Sequence, residues 1–390
     1  MMDPSSERLR VVSIQMWQLG HRTFAELLRA SLADSSTVDF QSAWYSDASA
    51  GWAHAVNRLL ARRTLDYLTN RNIDLVRLRT ELGQSLLARC CLHDKAARRQ
   101  ADLVHLHTQS LAFLSIDVMR RVPTVISGDL TAVLAARMYH SWYWHWTYAA
   151  NIIFERAAFR AATAIVMMSE WAKASVVKDY GVPSARVQVI PPGVNIAEFS
   201  AIPLERPVAD RPVRLLFVGG DFHRKGGPLL ADVFITKFAD LGCELHVVTS
   251  PKSEVPSHPK IFVYRNVTAY SPKWLELYAN SDIFALPTRG EAFGIAYVEA
   301  MAAALPVIGT DVGAGSEIID DSHNGYLISP NDPRALTDRI AVLLSDVSLR
   351  RRLGAYGRSR AVRDFNGKTN AARLAALFVK VITEQTKSPH

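Results

Sequence analysis

One stretch, Leu286–Glu317 (LPTRGEAFGIAYVEAMAAALPVIGTDVGAGSE), restricts what this chain can fold into more than any other. An apolar run ends at Leu286 before a proline, which is typical of a buried strand that enters a loop. Glu291 lies in that loop, and the Ala- and Met-rich run after Gly294 predicts a helix, with Glu299 about one turn inside it. Another apolar run follows the helix. The pattern therefore predicts a strand, an acidic loop, a helix and a second strand.

The chemistry of this stretch comes from two carboxylates placed around the start of a helix. The first backbone N–H groups of a helix have no partner within the helix, so they can bind an anion. Carboxylates beside such a site accept hydrogen bonds from hydroxyl groups of the ligand. An anionic ligand rich in hydroxyl groups is a nucleotide sugar, and this is the ligand that Glu291 and Glu299 predict. The alternative is a surface helix that carries two glutamates by chance.

The order of residues in this stretch resembles the donor-site signature of retaining glycosyltransferases of family four. The matching elements are Glu291-x-Phe293-Gly294, Glu299-Ala300-Met301-Ala302, Leu305-Pro306-Val307, Asp311-x-Gly313 and Glu317. The resemblance implies an α/β chain of the GT-B fold, in which two Rossmann-like doubly wound domains face each other across a cleft. Ala304 and Ala314 stand where the family usually has glycine, and we expect the added methyl groups to alter donor affinity or sugar choice.

Chain length predicts two domains, because 390 residues exceed the size at which a single core keeps growing. The segment Ala201–Arg211, with prolines at positions 203, 207 and 212, is the predicted linker. We predict an N-terminal acceptor-binding domain over residues 1–205 and a C-terminal nucleotide-sugar-binding domain over residues 206–368. By resemblance, the C-terminal helix within residues 369–390 is expected to pack back on the first domain.

Composition narrows the class of protein and its partners. The three cysteines are too few for a disulfide framework and lack metal-ligand spacing. The chain shows neither the apolar core of a signal peptide nor a run long enough for a membrane span, which predicts a cytoplasmic protein. The net charge of +8 includes no dense basic run or nucleic-acid motif, so no nucleic acid is expected as a partner. A basic first half fits an anionic acceptor and leaves peripheral contact with the inner face of a membrane open.

A glycine-rich turn, GGDFHRKGG, follows the apolar strand predicted at Val213–Val218. Such a turn between a strand and a helix, with a basic pair in it, can bind a diphosphate. By resemblance, Gly219, Gly220 and Lys225 belong to the donor site. The family usually has an arginine at the position of Gly220, so Arg224 is expected to supply the missing charge.

The resemblance implies further donor contacts. Asn266 and Val267 follow a predicted strand, where relatives place backbone groups against the nucleotide base. Phe293, Gly294 and Ile295 form the start of the helix in the central stretch. Together with the glycine-rich turn, these residues complete the predicted donor site.

Candidate acceptor residues in the first half lie after predicted strands, because ligands bind at the carboxyl ends of parallel strands. Gly20 follows the first strand, and His107 ends the strand beginning at Asp102. Asp129 follows the next strand, at a position where relatives often carry a histidine that contacts the donor sugar. We expect Asp129 to hold a sugar or acceptor hydroxyl, or to act as a base towards the acceptor.

Three further segments carry expectations of structure. Residues 35–51 lack periodicity and predict a long irregular connection, whereas Ile73–Leu78 resembles a strand. Residues 138–154 hold three tryptophans and three tyrosines. Aromatic residues of this kind fill an interdomain core, stack on sugars or lie at a membrane interface, and all three alternatives stay open.

The chain contains no Asp-x-Asp motif, so neither a metal nor another cofactor is expected. Charge on the departing diphosphate would be met by Arg224, Lys225 and the helix start. The resemblance implies a UDP- or GDP-sugar donor, with Glu291 on the sugar and Glu299 on the ribose, and a glycan or lipid-linked acceptor. With Asp129, Glu291 and Lys225 form the predicted catalytic set. The alternatives are a nucleotide-sugar epimerase and a non-catalytic nucleotide-sugar-binding subunit.

Overall fold

The structure is a computed structural model that describes residues 8–17, 20–96, 101–138, 146–204 and 211–387. The chain divides into two compact units. The first unit comprises the chain up to Pro192 together with the segment from Lys368 onward, and the second unit comprises Gly193–Gly367. Each unit has its own six-stranded sheet.

All strands of the first sheet are parallel to their neighbours. The strands are β1 (Leu9–Gln15), β2 (Val38–Trp44), β3 (Leu103–His107), β4 (Thr124–Gly128), β5 (Ala164–Met167) and β6 (Val187–Val189). Their order across the sheet is β2-β1-β3-β4-β5-β6, so the chain reverses its direction of travel between β1 and β3. Loops leave the carboxyl ends of these two strands in opposite directions, which opens a crevice for a ligand.

The first sheet is covered by helices whose ends follow local sequence signals. Up to residue 180 they are α1 (His21–Leu32), α2 (Gly51–Leu60), α3 (Asp66–Asn70), α4 (Val76–Ala96), α5 (Ile116–Met119), α6 (Ala132–Met138), α7 (Ala149–Ala161) and α8 (Glu170–Tyr180). In α8, the Ser169 hydroxyl accepts a hydrogen bond from the N–H of Ala172, and Gly181 ends the helix in a left-handed conformation. Serine before a helix and glycine after it are common sequence signals for these two ends.

The second sheet is also parallel throughout. Its strands are β7 (Val213–Val218), β8 (Cys243–Val248), β9 (Ile261–Tyr264), β10 (Ile283–Leu286), β11 (Val307–Thr310) and β12 (Gly325–Ile328). The order β12-β11-β10-β7-β8-β9 is that of a dinucleotide-binding sheet, with the reversal between β7 and β10. The predicted α/β class with two doubly wound sheets is therefore confirmed.

Helices of the second unit flank this sheet. They are α9 (Gly227–Lys237), α10 (Pro272–Ala279), α11 (Ile295–Ala302), α12 (Gly315–Ile318), α13 (Pro333–Ser345) and α14 (Val347–Asp364). Among the helices that the structure describes, none is both long and apolar enough to cross a membrane.

The last helix, α15 (Gly367–Lys387), returns to the first unit. Its Leu374 and Phe378 are buried in one core cluster with Val11 of β1 and Leu28 of α1. The boundary between the units falls after Pro192, ahead of the position 205/206 given by the sequence analysis. Of the predicted linker, residues 205–210 lie outside the described part of the chain.

Two expectations about local structure are wrong. Residues 38–44 form β2, an edge strand whose polar Asp39, Gln41 and Ser42 conceal the strand pattern. The predicted strand at Ile73–Leu78 is instead the entry to α4. The carboxylate of Asp74 accepts a hydrogen bond from the N–H of Val76 at 3.1 Å, so this side chain favours a helix start over an extended strand.

Candidate functional site

The second sheet brings two predicted loops together at its point of reversal. β7 and β10 are neighbours, and each ends at the same edge of the sheet. The glycine-rich turn follows β7, and the loop that carries Glu291 follows β10. Ligands of open α/β sheets bind at this position. Topology alone therefore places the two most specific sequence motifs next to each other.

Lys225 and Glu291 form an ion pair between these two loops. Their side chains are only 14% and 12% exposed, and the Lys225 ammonium group donates directly to the Glu291 carboxylate. The other carboxylate oxygen accepts the N–H of Ala292 at 3.2 Å. Burial lowers the pKa of Lys225, and the charge of Glu291 counteracts that decrease. The pair therefore places one cation and one anion in a largely dehydrated site.

The glycines of the turn serve different purposes. A Cβ atom on Gly219 would lie 3.0 Å from Cγ of Lys225, so this glycine makes room for the lysine stem. Gly226 has φ +77°, and a Cβ atom there would lie 1.9 Å from the carbonyl oxygen of Pro287. A Cβ atom on Gly220 would meet no atom within 4 Å. Gly219 and Gly226 are thus required by packing, whereas Gly220 borders open space.

Arg224 ties the turn to the acidic loop. Its guanidinium donates to the carbonyl oxygen of Gly290 at 2.6 Å, and its own carbonyl accepts the N–H of Arg289 at 2.9 Å. The guanidinium also lies 3.5 Å from Asp221 and is part of a side chain 42% exposed. Arg224 is therefore a second cation beside Glu291, in a position that keeps access to solvent.

Helix α11 begins directly after the acidic loop. Gly294 precedes it with φ +98°, a backbone conformation that residues with a side chain rarely adopt. Phe293 is buried and packs 6.1 Å from Phe365, ring centroid to ring centroid. Ile295, the first helical residue, is half-buried. The packed Phe293 and the bent Gly294 fix where the N-terminus of α11 points.

Glu299 lies on the buried side of α11, with only 5% of the residue exposed. The Tyr278 hydroxyl donates to its carboxylate at 3.3 Å. Burial raises the pKa of Glu299 to about 8, although the bond from Tyr278 opposes the increase. At neutral pH this side chain is therefore mostly a neutral acid.

This raised pKa predicts a pH dependence of stability. The pKa of Glu299 is about 8 in the folded chain and near 4.5 in the unfolded chain. Its contribution is therefore fully present below about pH 4.5 and is lost as the pH rises to about 8. Glu299→Gln removes this titration, so the variant should gain stability relative to the wild type between about pH 5 and pH 8. Urea denaturation across that range tests the prediction.

Glu276→Gln is the matched control for this comparison, because Glu276 is a glutamate of the same unit whose side chain is 53% exposed. The Glu276→Gln variant measures what the same change of Glu to Gln does at an exposed position. A difference between Glu299→Gln and the wild type that stays constant with pH would contradict the raised pKa of Glu299.

Asn266 and Val267 follow β9, as the sequence predicts. Asn266 is exposed and has φ +61°, a left-handed conformation that asparagine tolerates better than most residues. Val267 is half-buried. The chain therefore turns sharply at the carboxyl end of β9.

The two alanines that replace family glycines occupy different surroundings. Ala304 follows the C-terminal end of α11 with φ +55°, so the usual glycine there fits a left-handed backbone. Because α11 has eight residues, about 12 Å separates its two ends, and the methyl group of Ala304 does not lie beside Gly294. Ala314 does lie at the acidic loop, since its N–H donates to the carbonyl of Ala292 at 3.1 Å.

The remaining candidates, Gly20, His107 and Asp129, belong to the first unit. Gly20 is exposed and immediately precedes α1, and Asp129 is half-buried directly after β4. His107 ends β3 and is fully buried. All three therefore lie at the carboxyl edge of the first sheet, as the sequence analysis predicts.

His107 belongs to a buried chain of hydrogen bonds that the sequence analysis missed. Its ring nitrogens lie 3.1 Å from His21 and 2.8 Å from the Ser127 hydroxyl. Ser127 also contacts His105 at 2.9 Å, and His105 contacts Ser13 at 2.8 Å. Burial holds the pKa of His107 well below its usual range, so the ring is neutral. Among these residues, half-buried His21 is the better placed to meet a ligand.

Glu155 was also missed, because nothing in the sequence separates it from other glutamates on helices. It is buried, accepts the N–H of Ala132 at 2.8 Å and accepts the side-chain amide of Gln109 at 2.9 Å. Tyr180 donates to the same carboxylate. Burial raises the pKa of Glu155 to about 7. Glu155 thereby anchors the loop that carries Asp129.

The aromatic segment 138–154 is only partly described, since residues 139–145 lie outside the described ranges. Tyr148 is buried and accepts a hydrogen bond from Arg77 at 2.9 Å. Trp146 and Ile153 are exposed. The described part of the segment thus has a packed side and an apolar exposed side.

Two protein families match this chain. The model of Glycosyltransferase Family 4 matches residues 50–198, and the model of Glycosyl transferases group 1 matches residues 263–360. A GDP-mannose-dependent alpha-(1-6)-phosphatidylinositol monomannoside mannosyltransferase of Mycolicibacterium smegmatis is 28% identical over 258 residues, which are 56% of this chain and 62% of that protein. The chain spans less than two thirds of the length of the curated relatives that it matches first.

Solved structures share the fold over nearly the whole chain. Sucrose-phosphate synthase from Thermosynechococcus elongatus superposes with a TM-score of 0.74 and 17% identity, covering 97% of this chain and all of that one. Anabaena HepE in complex with UDP-glucose superposes with a TM-score of 0.68 and 15% identity, and the match covers 96% of this chain and 100% of that one. These likenesses establish the fold, the two family matches lie mainly in different units, and the chain belongs to the glycosyltransferases that both family models describe, Glycosyltransferase Family 4 and Glycosyl transferases group 1.

Proposed function

We propose that this protein transfers a sugar from a nucleotide-sugar donor to a glycan or lipid-linked acceptor, with retention of the donor's anomeric configuration. The observation that carries the proposal is the buried ion pair of Lys225 and Glu291 at the point where the second sheet reverses. A dehydrated cation and anion side by side suit a ligand that has both a diphosphate and sugar hydroxyls. The family supports the same reaction class.

The diphosphate is assigned to the glycine-rich turn. Lys225 carries its charge in a site of low exposure, and Arg224 adds a second charge. The N-terminus of α11 supplies partial positive charge at the end of the acidic loop. Each hydrogen bond to a charged group contributes about 1.5–3 kcal/mol, so these groups together can stabilise the departing diphosphate by several kcal/mol.

The sugar and nucleoside are assigned to the neighbouring groups. Glu291 would bind donor-sugar hydroxyls after the diphosphate draws Lys225 away from it, Glu299 would bind the ribose, and Asn266 with Val267 would meet the base. GDP-mannose is the donor named for one similar protein, and UDP-glucose is bound in one similar solved structure. UDP- and GDP-sugars are therefore the first donors to test.

We propose that the reaction needs no metal and no cofactor, because Lys225, Arg224 and α11 supply charge where a metal would. Among the described residues, no cluster of three or more His, Cys, Asp and Glu side chains has metal-binding geometry. A chelator added to the assay should leave turnover unchanged. Restoration of lost turnover by Mg²⁺ or Mn²⁺ after chelation would overturn this part of the proposal.

The acceptor is assigned to the first unit. Gly20, His107 with its partner His21, and Asp129 lie at the carboxyl edge of its sheet. Asp129 is the candidate for holding an acceptor hydroxyl or for acting as a base. A lipid-linked acceptor would bring the protein to a membrane surface, and peripheral contact with the inner face of that membrane is part of the proposal.

The experiment is incubation of the full chain with UDP-glucose and GDP-mannose, each with and without a lipid and glycan extract as acceptor. Release of UDP or GDP that depends on the extract supports transfer, and NMR of the product anomeric proton tests retention. Conversion of the sugar on an intact nucleotide would instead identify an epimerase. Binding without any change of either donor would identify a non-catalytic subunit.

A further inference from the structure

Helix α2 has large apolar side chains on its solvent side, where a surface helix usually has polar ones. Ala53 is fully buried on its inner side, whereas Trp52 and Leu59 are 62% and 66% exposed. Residues seven positions apart lie on the same side of a helix, so these two side chains point to solvent together. Several large apolar side chains exposed close together mark an interaction surface, whereas a single one is common on any protein.

More exposed apolar side chains follow α2 along the chain. Leu65 and Tyr67 are 70% and 64% exposed, at the start of α3. The turn beneath them is held by the Asp74 carboxylate, which accepts the Thr64 hydroxyl at 2.6 Å and the Arg79 guanidinium at 2.9 Å. These side chains are therefore presented by an anchored framework. We name Trp52, Leu59, Leu65 and Tyr67, with the arginines between them, the α2–α3 surface.

Positive charge is interleaved with these apolar side chains. Arg58, Arg62 and Arg63 are exposed, and Arg71 lies over the Tyr67 ring at 3.8 Å. Asp66 is the single acidic residue between positions 51 and 71. The surface thus combines Trp, Tyr and Leu with net positive charge, which is the composition of segments that lie in the headgroup region of an anionic membrane.

A third exposed aromatic residue, Trp146, belongs to the aromatic segment 138–154. The side-chain amide of Asn72, just after α3, donates to the carbonyl oxygen of Thr147 at 3.4 Å. Trp146, the neighbour of Thr147, is 45% exposed. The start of the described aromatic segment therefore lies close to the turn that follows α3.

We propose that the α2–α3 surface docks the first unit on an anionic lipid bilayer, with Trp52, Leu59, Leu65 and Tyr67 entering the headgroup region and the arginines contacting lipid phosphates. A second copy of the chain fits less well, because a two-fold contact would press this arginine-rich surface against itself. The inference gives the peripheral membrane contact a location. The docking proposal uses the exposed residues of the first unit and none of the donor-site residues. An experiment can therefore refute membrane docking without refuting sugar transfer, and the reverse.

Vesicle flotation tests the proposal with the full chain and no nucleotide sugar. The wild type is expected to float with vesicles of phosphatidylcholine plus phosphatidylglycerol, less with phosphatidylcholine alone, and less as salt is raised. Trp52→Ser combined with Leu59→Ser should weaken binding to the anionic vesicles by at least about tenfold, since both side chains lose apolar area that the membrane would bury. Arg62→Gln with Arg63→Gln should remove most of the preference for the anionic lipid.

Leu241→Ser is the matched control, because Leu241 is 66% exposed like Leu59 but belongs to the second unit. It should bind vesicles as the wild type does. No binding of the wild type to anionic vesicles, or equal binding by the Trp52/Leu59 variant, would overturn the proposal. Concentration-dependent self-association that the same variant abolishes would assign the surface to a second copy and overturn it as well.

Discussion

Replacing Glu291 with Gln, or Lys225 with Met, is expected to lower turnover of the nucleotide sugar by about 10²–10³-fold, the usual effect of removing one preorganised group that stabilises charge in a transition state. Both side chains are largely buried and contact each other at the end of β7 and β10. Nucleotide release in the presence of acceptor extract measures the effect.

Each single change also leaves one buried charge without its partner, which costs about 3–5 kcal/mol in other proteins. Loss of turnover through unfolding must therefore be separated from loss through chemistry. The double variant Lys225→Met/Glu291→Gln removes both charges at once and should recover much of the stability lost in the single variants. Its turnover should remain at least as low as theirs. Recovery of turnover together with stability would show that the pair is structural.

A surface ion pair of the same unit provides the control. Lys273 and Glu276 are 49% and 53% exposed and lie 3.0 Å apart on α10. Exposed pairs of this kind contribute about 0–1 kcal/mol, so Lys273→Met/Glu276→Gln should leave stability and turnover near those of the wild type. Wild-type turnover in all the Lys225 and Glu291 variants would contradict the site assignment.

The sequence predicts the second unit well because its signals are local. A strand that ends in Gly219-Gly220, or a strand that ends in Pro287 before Glu291, is recognisable within ten residues. The contact between Lys225 and Glu291 is not local, since 66 positions separate them. It follows only from the strand order, which places β7 beside β10. The resemblance supplied that order in advance, and the structure supplies the contact.

The first unit was predicted less completely for a physical reason. Its polar groups act from inside the core, where a histidine or glutamate has no sequence signature that distinguishes it from a surface residue. His21 lies immediately after Gly20 and contacts His107, yet it looks like an ordinary residue of a helix start. Glu155 is recognisable only when Gln109 and Tyr180 converge on it from other elements. Burial and long-range partners, which determine both roles, become visible only in the fold.

Gly226→Ala should abolish donor binding and destabilise the second unit, whereas Gly220→Ala, in the same turn, should do neither. At Gly226 the alanine would need φ near +77°, and its Cβ atom would lie 1.9 Å from the carbonyl oxygen of Pro287. A left-handed non-glycine residue costs about 1–3 kcal/mol, and forced overpacking costs about 1–3 kcal/mol more. Urea denaturation measures the loss of stability, and calorimetry with UDP and GDP measures the loss of donor binding.

The two glycines make this a test of geometry, because both substitutions add one methyl group within the same turn. At Gly220 the methyl group meets no atom within 4 Å, so the turn keeps its shape and Lys225 keeps its place opposite Glu291. Binding lost equally in both variants would mean that the nucleotide needs the space at Gly220. Binding kept in both would place the nucleotide away from this turn. The proposal expects binding to be lost in Gly226→Ala and kept in Gly220→Ala. That result would mean that the close approach of Gly226 to Pro287 positions Lys225 for the nucleotide.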